Sequence, residues 1–593
     1  MPPPCAYVVV SEEGGSRSPA ALDLGIVNCS DGRNAVFLAL VSATARRVLP
    51  STGLFDQLAD FDANSVPYPQ ASDLTGFHIS ITTHLTANMI LDLGLPKMGL
   101  ILALPILYWV GWIVYARVFH PLRKIPGPFL ATISRLWYML RIWTEDVEKY
   151  ERELHDKYGP LIRLAPDEIS CSDPEAFADI YRFSNALDKA EFYRPYNTTG
   201  FSPHGDVFSC KSDKKHGQRR KIISSIYSMS NVAKSEQYID SCSELLMERL
   251  GKYADTGKAC DIGEWLHWYT FDIIGELFYG RAFGFLDEGK DQNDWIKSLD
   301  KMIPFVCLMG VAPPVLRPLL GIGCMLTPAG KEIAKGVKNI GESSARLMKE
   351  AYESRLEAPR TDMAQQVFSI YERNGEKYDY RWGDVEQESY GALFAGSDTT
   401  AIAFRPLFYH LMHNPAAYRR LESEIDQAVK ESRLSMPPTY KETSQLPYLV
   451  ACIKEALRIH PGSQLALPRI VPAEGMTLCG QFIPGGYVVG INAAVAHFDK
   501  KVYGIDAESF NPDRWMDQAR SNHMDKYMMA FGGGTRTCLG KNIALIELHK
   551  LTAQLVWNYQ FDFFDKSKTK WHTRNTFFAR QEGIITKVKR RQH

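Results

Sequence analysis

Hydrophobic and polar positions divide the chain into a long patterned part and a short unpatterned one. From about residue 130 onward, apolar residues recur at helical spacing through most of the sequence. In Ala416–Val429, for example, Tyr418, Leu421, Ile425 and Val429 fall on one face. No proline interrupts Trp382 to Arg405, which predicts a long helix there. Short runs such as Leu161-Ile162-Arg163-Leu164 read as strands, and Pro484-Gly485-Gly486-Tyr487 reads as a turn between strands. The pattern predicts a mainly α fold with small β-sheets over residues 120–593. Ahead of it, Met98–Ala116 holds 19 uncharged residues. As a helix they would measure roughly 28 Å, about the hydrocarbon thickness of a bilayer. Trp112 and Tyr115 sit near one end, as interfacial aromatics do. Being apolar on every face, the segment also fits a buried core helix. Arg117, Arg123 and Lys124 follow it and only Lys97 stands close before it, which predicts a retained single-pass anchor over 98–119 with the bulk of the chain in the cytosol. Pro126-Gly127-Pro128 then makes a stiff link that cannot continue a helix. Residues 1–97 open on Met1-Pro2-Pro3-Pro4 and are loop-like in composition, which predicts a poorly ordered extension. Their one apolar run, Ala35–Val41, is too short to span a bilayer and precedes Arg46-Arg47, unlike a clean signal peptide.

Composition narrows the classes. At 593 residues, 45% hydrophobic and 23% charged, the chain can bury a large core, and its formal net charge of zero gives no reason to expect nucleic acid as a partner. The 11 cysteines are scattered, with no Cys-x-x-Cys pair, which argues against a disulfide framework or a zinc cluster and for a reducing surrounding. Of two glycosylation sequons, Asn197-Thr198-Thr199 falls in the expected cytosolic part, and Asn28-Cys29-Ser30 in the extension.

The chemistry concentrates in Phe531-Gly532-Gly533-Gly534-Thr535-Arg536-Thr537-Cys538-Leu539-Gly540. Three glycines let a backbone approach a large flat ligand closely. Cys538 stands just before the apolar run Ile543–Ile546, which reads as helical, and a cysteine at a helix N-terminus is biased towards thiolate. Arg536 offers a fork for a carboxylate of the same ligand. A thiolate, an acid and a flat face together suggest haem iron with an axial cysteine. The alternative is a glycine-rich loop before a helix with an incidental buried cysteine.

The spacing Phe-x-x-Gly-x-Arg-x-Cys-x-Gly, met by Phe531, Gly534, Arg536, Cys538 and Gly540, resembles the haem signature of the cytochrome P450 superfamily. The resemblance covers about residues 120–593. It implies the cytochrome P450 fold, haem b (iron protoporphyrin IX) with Cys538 as axial thiolate, and Phe531 shielding the sulfur. Ala395-Gly396-Ser397-Asp398-Thr399-Thr400 resembles the family's oxygen-activating helix. There a local opening makes room over the iron, the threonine (Thr399) supports oxygen activation and the acid (Asp398) helps deliver protons. The glycine and the threonine hydroxyl would both favour that opening. His216 and Arg220 stand where the family places an aromatic ring and an arginine at the haem edge, and Arg469, eleven residues past Arg458, where it sends an arginine to a propionate. Read as residues alone, His216–Lys221 is equally a solvated basic helix face. Glu455-Ala456-Leu457-Arg458 would meet on one helix face, by itself a commonplace surface pair. In the family such a pair is buried with a later arginine, here Arg514, and fixes the fold around the haem loop.

Together these readings predict an oxidoreductase inserting one atom of O2 into a small apolar molecule, with the stretch ending Tyr227-Ser228-Met229-Ser230 looking most like fungal pisatin-demethylase-like members active in secondary metabolism. The chain stops 55 residues past Cys538 without a flavin domain. Electrons are therefore expected from NADPH–cytochrome P450 reductase, with cytochrome b5 a second candidate, at the endoplasmic reticulum membrane. Same-fold phenol coupling, desaturation or rearrangement is the first alternative. A non-enzymatic haem-binding protein is the second, and it would have no use for Asp398 and Thr399.

Overall fold

The structure is a computed structural model that describes residues 95–197, 200–357, 359–567, 569 and 571–593. The extension expected over 1–97 lies almost wholly outside the described residues, as does the sequon at Asn28. The chain divides into two units, Met1–Pro105 and Ile106–His593, and the site lies in the second.

The first described element is helix α1 (Leu95–Val114), continued by a π-helical turn over Tyr115–Phe119. The transmembrane anchor expected over 98–119 is not found: among the described residues no helix is long and apolar enough to cross a membrane. Pro105 lies inside α1, and the helix reaches only Val114 before the turn carrying Arg117. Its exposed apolar side chains between Leu104 and Val114 cover roughly 15 Å of helix, half a bilayer core.

Pro126-Gly127-Pro128 packs on the first strand. Arg163 N–H donates to Pro126 O at 2.7 Å. A Cβ on Gly127 would lie 2.5 Å from Arg163 O, so only glycine fits. Strands β1 (Leu161–Ala165) and β2 (Glu168–Cys171) follow, fully buried. Then come helices α2 (Asp213–Ile223), α3 (Ile262–Tyr279) and α4 (Trp295–Val311), the long α5 (Trp382–His413), α6 (Pro415–Lys430) and α7 (Pro447–Ile459). Short strands β3 (Arg469–Ile470) and β4 (Val488–Ile491) complete a four-stranded sheet in the order β1-β2-β4-β3, with β4 parallel to β2 and antiparallel to β3. Helix α8 (Lys541–Asn558) precedes the hairpin of β5 (His572–Thr576) and β6 (Phe578–Glu582). The fold is mainly α with small sheets.

The core forms around α5. Phe404, Leu407, Phe408 and Leu411 are fully buried, as are Leu266, Tyr269, Phe271 and Ile273 of α3, which packs alongside. Helix α5 begins where the Asp384 carboxylate accepts the Arg381 N–H at 2.7 Å. It runs eight residues beyond the proline-free segment, through Pro406 to His413, because tertiary burial of that turn outweighs the lost backbone bond.

Candidate functional site

The loop before α8 is fixed by backbone contacts. Cys538 N–H donates to Phe531 O at 2.8 Å and Thr535 N–H to Arg182 O at 3.1 Å. Gly534 has φ 64°, and a Cβ there would lie 2.3 Å from Arg182 O, so the loop seats itself backbone to backbone on the 177–182 segment. Lys541 Nζ lies 5.8 Å from the centre of the Phe531 ring. Gly540 is the N-cap of α8.

Cys538 retains open surface although protein surrounds it. Ala395 is likewise exposed in the middle of α5, between the buried Leu393 and Ser397. Open surface at such central positions marks an internal space. Burial pushes the Cys538 thiol above its ordinary range. The N–H groups of Gly540 and Lys541 and the Arg220 guanidinium pull the other way and lose. The bias expected from the helix terminus is present but smaller than the effect of burial, and a cation against the sulfur would favour the thiolate further. Among the described residues no group of three or more His, Cys, Asp or Glu side chains could hold a metal ion.

Cations converge beside the loop and outnumber the acids near them, Asp213, Asp188 and Asp206. Arg536 donates to the carbonyls of Cys210 (2.6 Å) and Lys211 (2.8 Å), with Asp213 3.6 Å from its Nε. Arg469 donates to Tyr193 Oη (3.1 Å) and to the Leu467 and Pro468 carbonyls. Lys189, buried and paired with Arg469 across an isolated β-bridge, donates to Phe208 O and lies 4.2 Å from the Tyr193 ring centre. Burial, then Arg469 and Arg536, hold the Lys189 ammonium well below the usual lysine range. His216 is buried in their midst. Burial and then Arg536, Lys189, Arg220 and Arg469 push its pKa down to about 3. His216 Nδ1 and Arg536 Nε are buried without a hydrogen-bond partner. Buried cations lacking anions are costly, and the arrangement is complete only with carboxylates from a ligand. Two propionates of a haem fit that deficit. Arg220 belongs to this group and also acts on Cys538, joining the cation cluster to the thiol.

Asp398 and Thr399 lie on α5, which is helical through Ala395–Thr400. Thr399 Oγ1 donates to Ala395 O at 2.8 Å. Asp398 is buried and hydrogen-bonded to His267 Nε2 of α3. Burial would raise the Asp398 carboxyl; His267, with Arg580 and Arg405, outweighs it and holds the group below the ordinary carboxylate range. Glu455, Arg458 and Arg514 come together fully buried, at 2.8 Å and 3.0 Å, away from this chemistry, with Trp515 Nε1 donating to Glu455.

Sequence reasoning missed Lys189, Tyr193 and His267. No local motif marks them: Arg469 and Tyr193 stand 276 residues apart, His267 and Asp398 131 apart.

Comparison with known proteins agrees with this geometry. The family model for cytochrome P450 matches residues 126–588. Cytochrome P450 monooxygenase gsfF of Penicillium aethiopicum is 39% identical over 485 residues, 81% of this chain and 96% of that protein. Cytochrome P450 monooxygenase cicH of Emericella nidulans is 34% identical over 505 residues, 83% of this chain and 99% of that protein. Pisatin demethylase of Fusarium vanettenii is 32% identical over 480 residues, covering 80% and 92%. Signature loop, fold and relatives lead to one assignment: the chain belongs to the cytochrome P450 family of monooxygenases.

Proposed function

We propose that this chain is a haem-thiolate monooxygenase acting on a small apolar molecule of secondary metabolism, with Cys538 the residue that would hold the haem iron. The observation that carries the reading is the buried, anion-deficient cluster of Lys189, Arg469, Arg536 and His216, joined through Arg220 to a cysteine with open internal surface. Haem supplies oxygen activation and substrate oxidation when bound. The chain's own groups do the rest. Cys538 would hold the iron as thiolate. Arg220, Arg469, Arg536, His216 and Lys189 would hold the propionates, and Phe531 would cover the sulfur. The open face of α5 around Ala395 gives the substrate its wall, and Asp398 and Thr399 hold and pass protons beside it. Electrons come from NADPH–cytochrome P450 reductase or cytochrome b5. The exposed apolar side chains Ile106–Val110, Val114, Val118 and Phe119 suit contact with the endoplasmic reticulum membrane from its cytosolic side. The secondary-metabolite assignment rests on the fungal relatives.

The test is the carbon monoxide difference spectrum of the reduced protein beside Cys538→Ala. A strongly red-shifted Soret band that disappears in the variant is expected. A band at the position of histidine-ligated haem, or no haem at all, would overturn the assignment.

A further inference from the structure

Away from the haem loop, two cysteines meet. Cys171, the last residue of β2, and Cys479 are free thiols with their sulfurs 3.9 Å apart. Among the described residues no other two cysteine sulfurs touch. The pair differs in access. Cys171 is fully buried, in register with Ile491 of β4. Cys479 is half-buried at the tip of a hairpin formed by Met476–Leu478 and Gln481–Ile483. The hairpin's two turn residues, Cys479 and Gly480, have φ 49° and 74°. Positive φ at both positions favours asparagine or glycine first, and a cysteine there carries backbone strain. Turn chemistry therefore does not account for Cys479, whereas its contacts do. Its sulfur lies against Cys171 and donates to Asp173 Oδ2 at 3.5 Å, while Asp173 Oδ1 is held by the Glu175 N–H at 3.0 Å. The turn also has room to shift. A Cβ on Gly480 would meet nothing within 4 Å, and the tip borders a cavity of about 370 Å³ whose far wall includes Pro121, Arg123, Lys124 and Ile125. A disulfide needs its sulfurs about 2 Å closer than they stand here, a movement within reach of a hairpin tip with open space beside it.

The geometry points to an oxidation site: hydrogen peroxide joins Cys479 to Cys171 as a disulfide that fastens the 476–483 hairpin to β2, and a small thiol releases it. Cys479 is the sulfur a solute can reach. It gives its proton to the Asp173 carboxylate and attacks one oxygen of the peroxide. The O–O bond breaks, an S–O bond forms, and the other oxygen leaves as water with that proton. Cys171 then attacks the sulfenic sulfur. The S–S bond forms, the S–O bond breaks, and the hydroxyl leaves as a second water with the Cys171 proton. Two thiols and one peroxide thus give one disulfide and two waters; the sulfurs lose two electrons and the peroxide oxygens gain them. In the reverse direction one glutathione attacks the accessible Cys479 sulfur and frees Cys171, and a second frees Cys479 as oxidised glutathione. Contact with Cys479 and then burial push the Cys171 thiol up, and the Asp173 N–H only partly offsets them. Cys171 is therefore a poor first target for an oxidant and takes the resolving role. No part of this chemistry involves the haem loop.

The experiment treats the full-length, haem-loaded protein with a small excess of hydrogen peroxide, with imidazole present to keep peroxide from the iron. Free thiols are blocked with N-ethylmaleimide, sulfenic acid is trapped with dimedone, and the digest is read by mass spectrometry. In the wild type most of the protein should carry the Cys171–Cys479 peptide pair, with little dimedone adduct, and glutathione should restore both thiols. Cys171→Ala removes the resolving sulfur, so its Cys479 should hold at least about tenfold more dimedone than the wild type. Cys479→Asn, a substitution that suits the turn, should leave Cys171 reduced and without adduct. Amide hydrogen exchange over 476–483 should slow about tenfold in the oxidised wild type, recover with glutathione, and not respond to peroxide in Cys479→Asn. A wild type that forms no linked peptide, whether Cys479 stays reduced or is oxidised alone, overturns the inference. Oxidation of Cys171 in Cys479→Asn overturns the order of attack. A linked peptide with unchanged exchange overturns the fastening. Cys479→Asn keeps the test decisive if Cys171→Ala fails to fold.

Discussion

A lysine ammonium is expensive to bury without an acid in contact, and Lys189 donates to a carbonyl and lies against two aromatic rings, with Asp206 acting on it only as a weaker influence than its arginine neighbours. Its neighbours Arg469 and Arg536 make matters worse. The residue is tolerable if a bound anion repays it. Lys189→Met should therefore act in opposite directions on the two states of the protein. The haem-free chain should gain about 1–3 kcal/mol in urea unfolding, since an apolar side chain of similar length replaces a desolvated charge. The haem-loaded protein should release haem to apomyoglobin about tenfold faster. Equal destabilisation of both forms would make Lys189 merely structural. This residue also shows where reading the sequence stops. Phe531 to Gly540 were legible because the fixed positions of the signature all lie within ten residues of one another. Lys189 sits in an ordinary Asp-Lys-Ala stretch and gains meaning only from its bridge to Arg469. At Cys538 the helix N-terminus, which lowers the thiol pKa, is visible in sequence, and the burial that raises it is not.

At the level of elements, the haem loop is tied to the core by one histidine. His497 is fully buried; its Nδ1–H donates to Arg458 O of α7 and its Nε2 accepts the Met529 N–H at 2.8 Å. Gly532 N–H in turn reaches Met529 O. Both ring nitrogens are committed to the neutral form, and burial pushes the pKa down to about 3. In the unfolded chain the group titrates near its ordinary 6.5, so unfolding takes up a proton at any pH between these values. Stability from this residue is complete above pH 6.5 and is lost as pH falls towards 3. At pH 5 the loss is about 2 kcal/mol. His497→Gln makes one of the two bonds and does not titrate. It should be about 1–2 kcal/mol less stable than wild type at pH 7.5 in urea unfolding, and the gap should close by pH 5. A gap that stays constant would mean that His497 does not govern the acid limb. Periodicity anticipated α6, whose Tyr418, Leu421 and Ile425 are buried, and β1, but could not see that α5 carries on through Pro406, which only packing decides.

At the scale of the whole chain, the fold class was legible because helical spacing dominates from residue 130 on. The membrane segment was not, because 19 uncharged residues state apolarity and length but not where a helix ends. Here α1 stops at Val114, a π-helical turn follows, and Ala116 is buried while its neighbours are exposed. Arg163 reaches both the Ala116 carbonyl and His120, so the turn belongs to the folded unit that begins at Ile106. What the segment offers is a patch: Ile106, Leu107, Tyr108, Trp109, Val110, Val114, Val118 and Phe119 are all exposed, Ile106 and Phe119 by 65% each. Contiguous apolar surface of this kind is unfavourable in water and favourable at a lipid interface. A chain shortened to residues 106–593 should therefore sediment with phosphatidylcholine vesicles, whereas residues 120–593, which keep His120 and Leu122 in the core, should remain in the supernatant. The carbon monoxide spectra of both should match, because no site residue precedes Lys189. The Trp112 Nε1 bond to Ile133 O (2.7 Å) is lost in the shorter chain, a change of about 1 kcal/mol that leaves the fold standing. If residues 120–593 still sediment, the lipid-facing surface lies elsewhere on the unit. If residues 106–593 stay soluble, the exposed patch does not bind lipid, and the membrane assignment has to rest on the residues before Ile106.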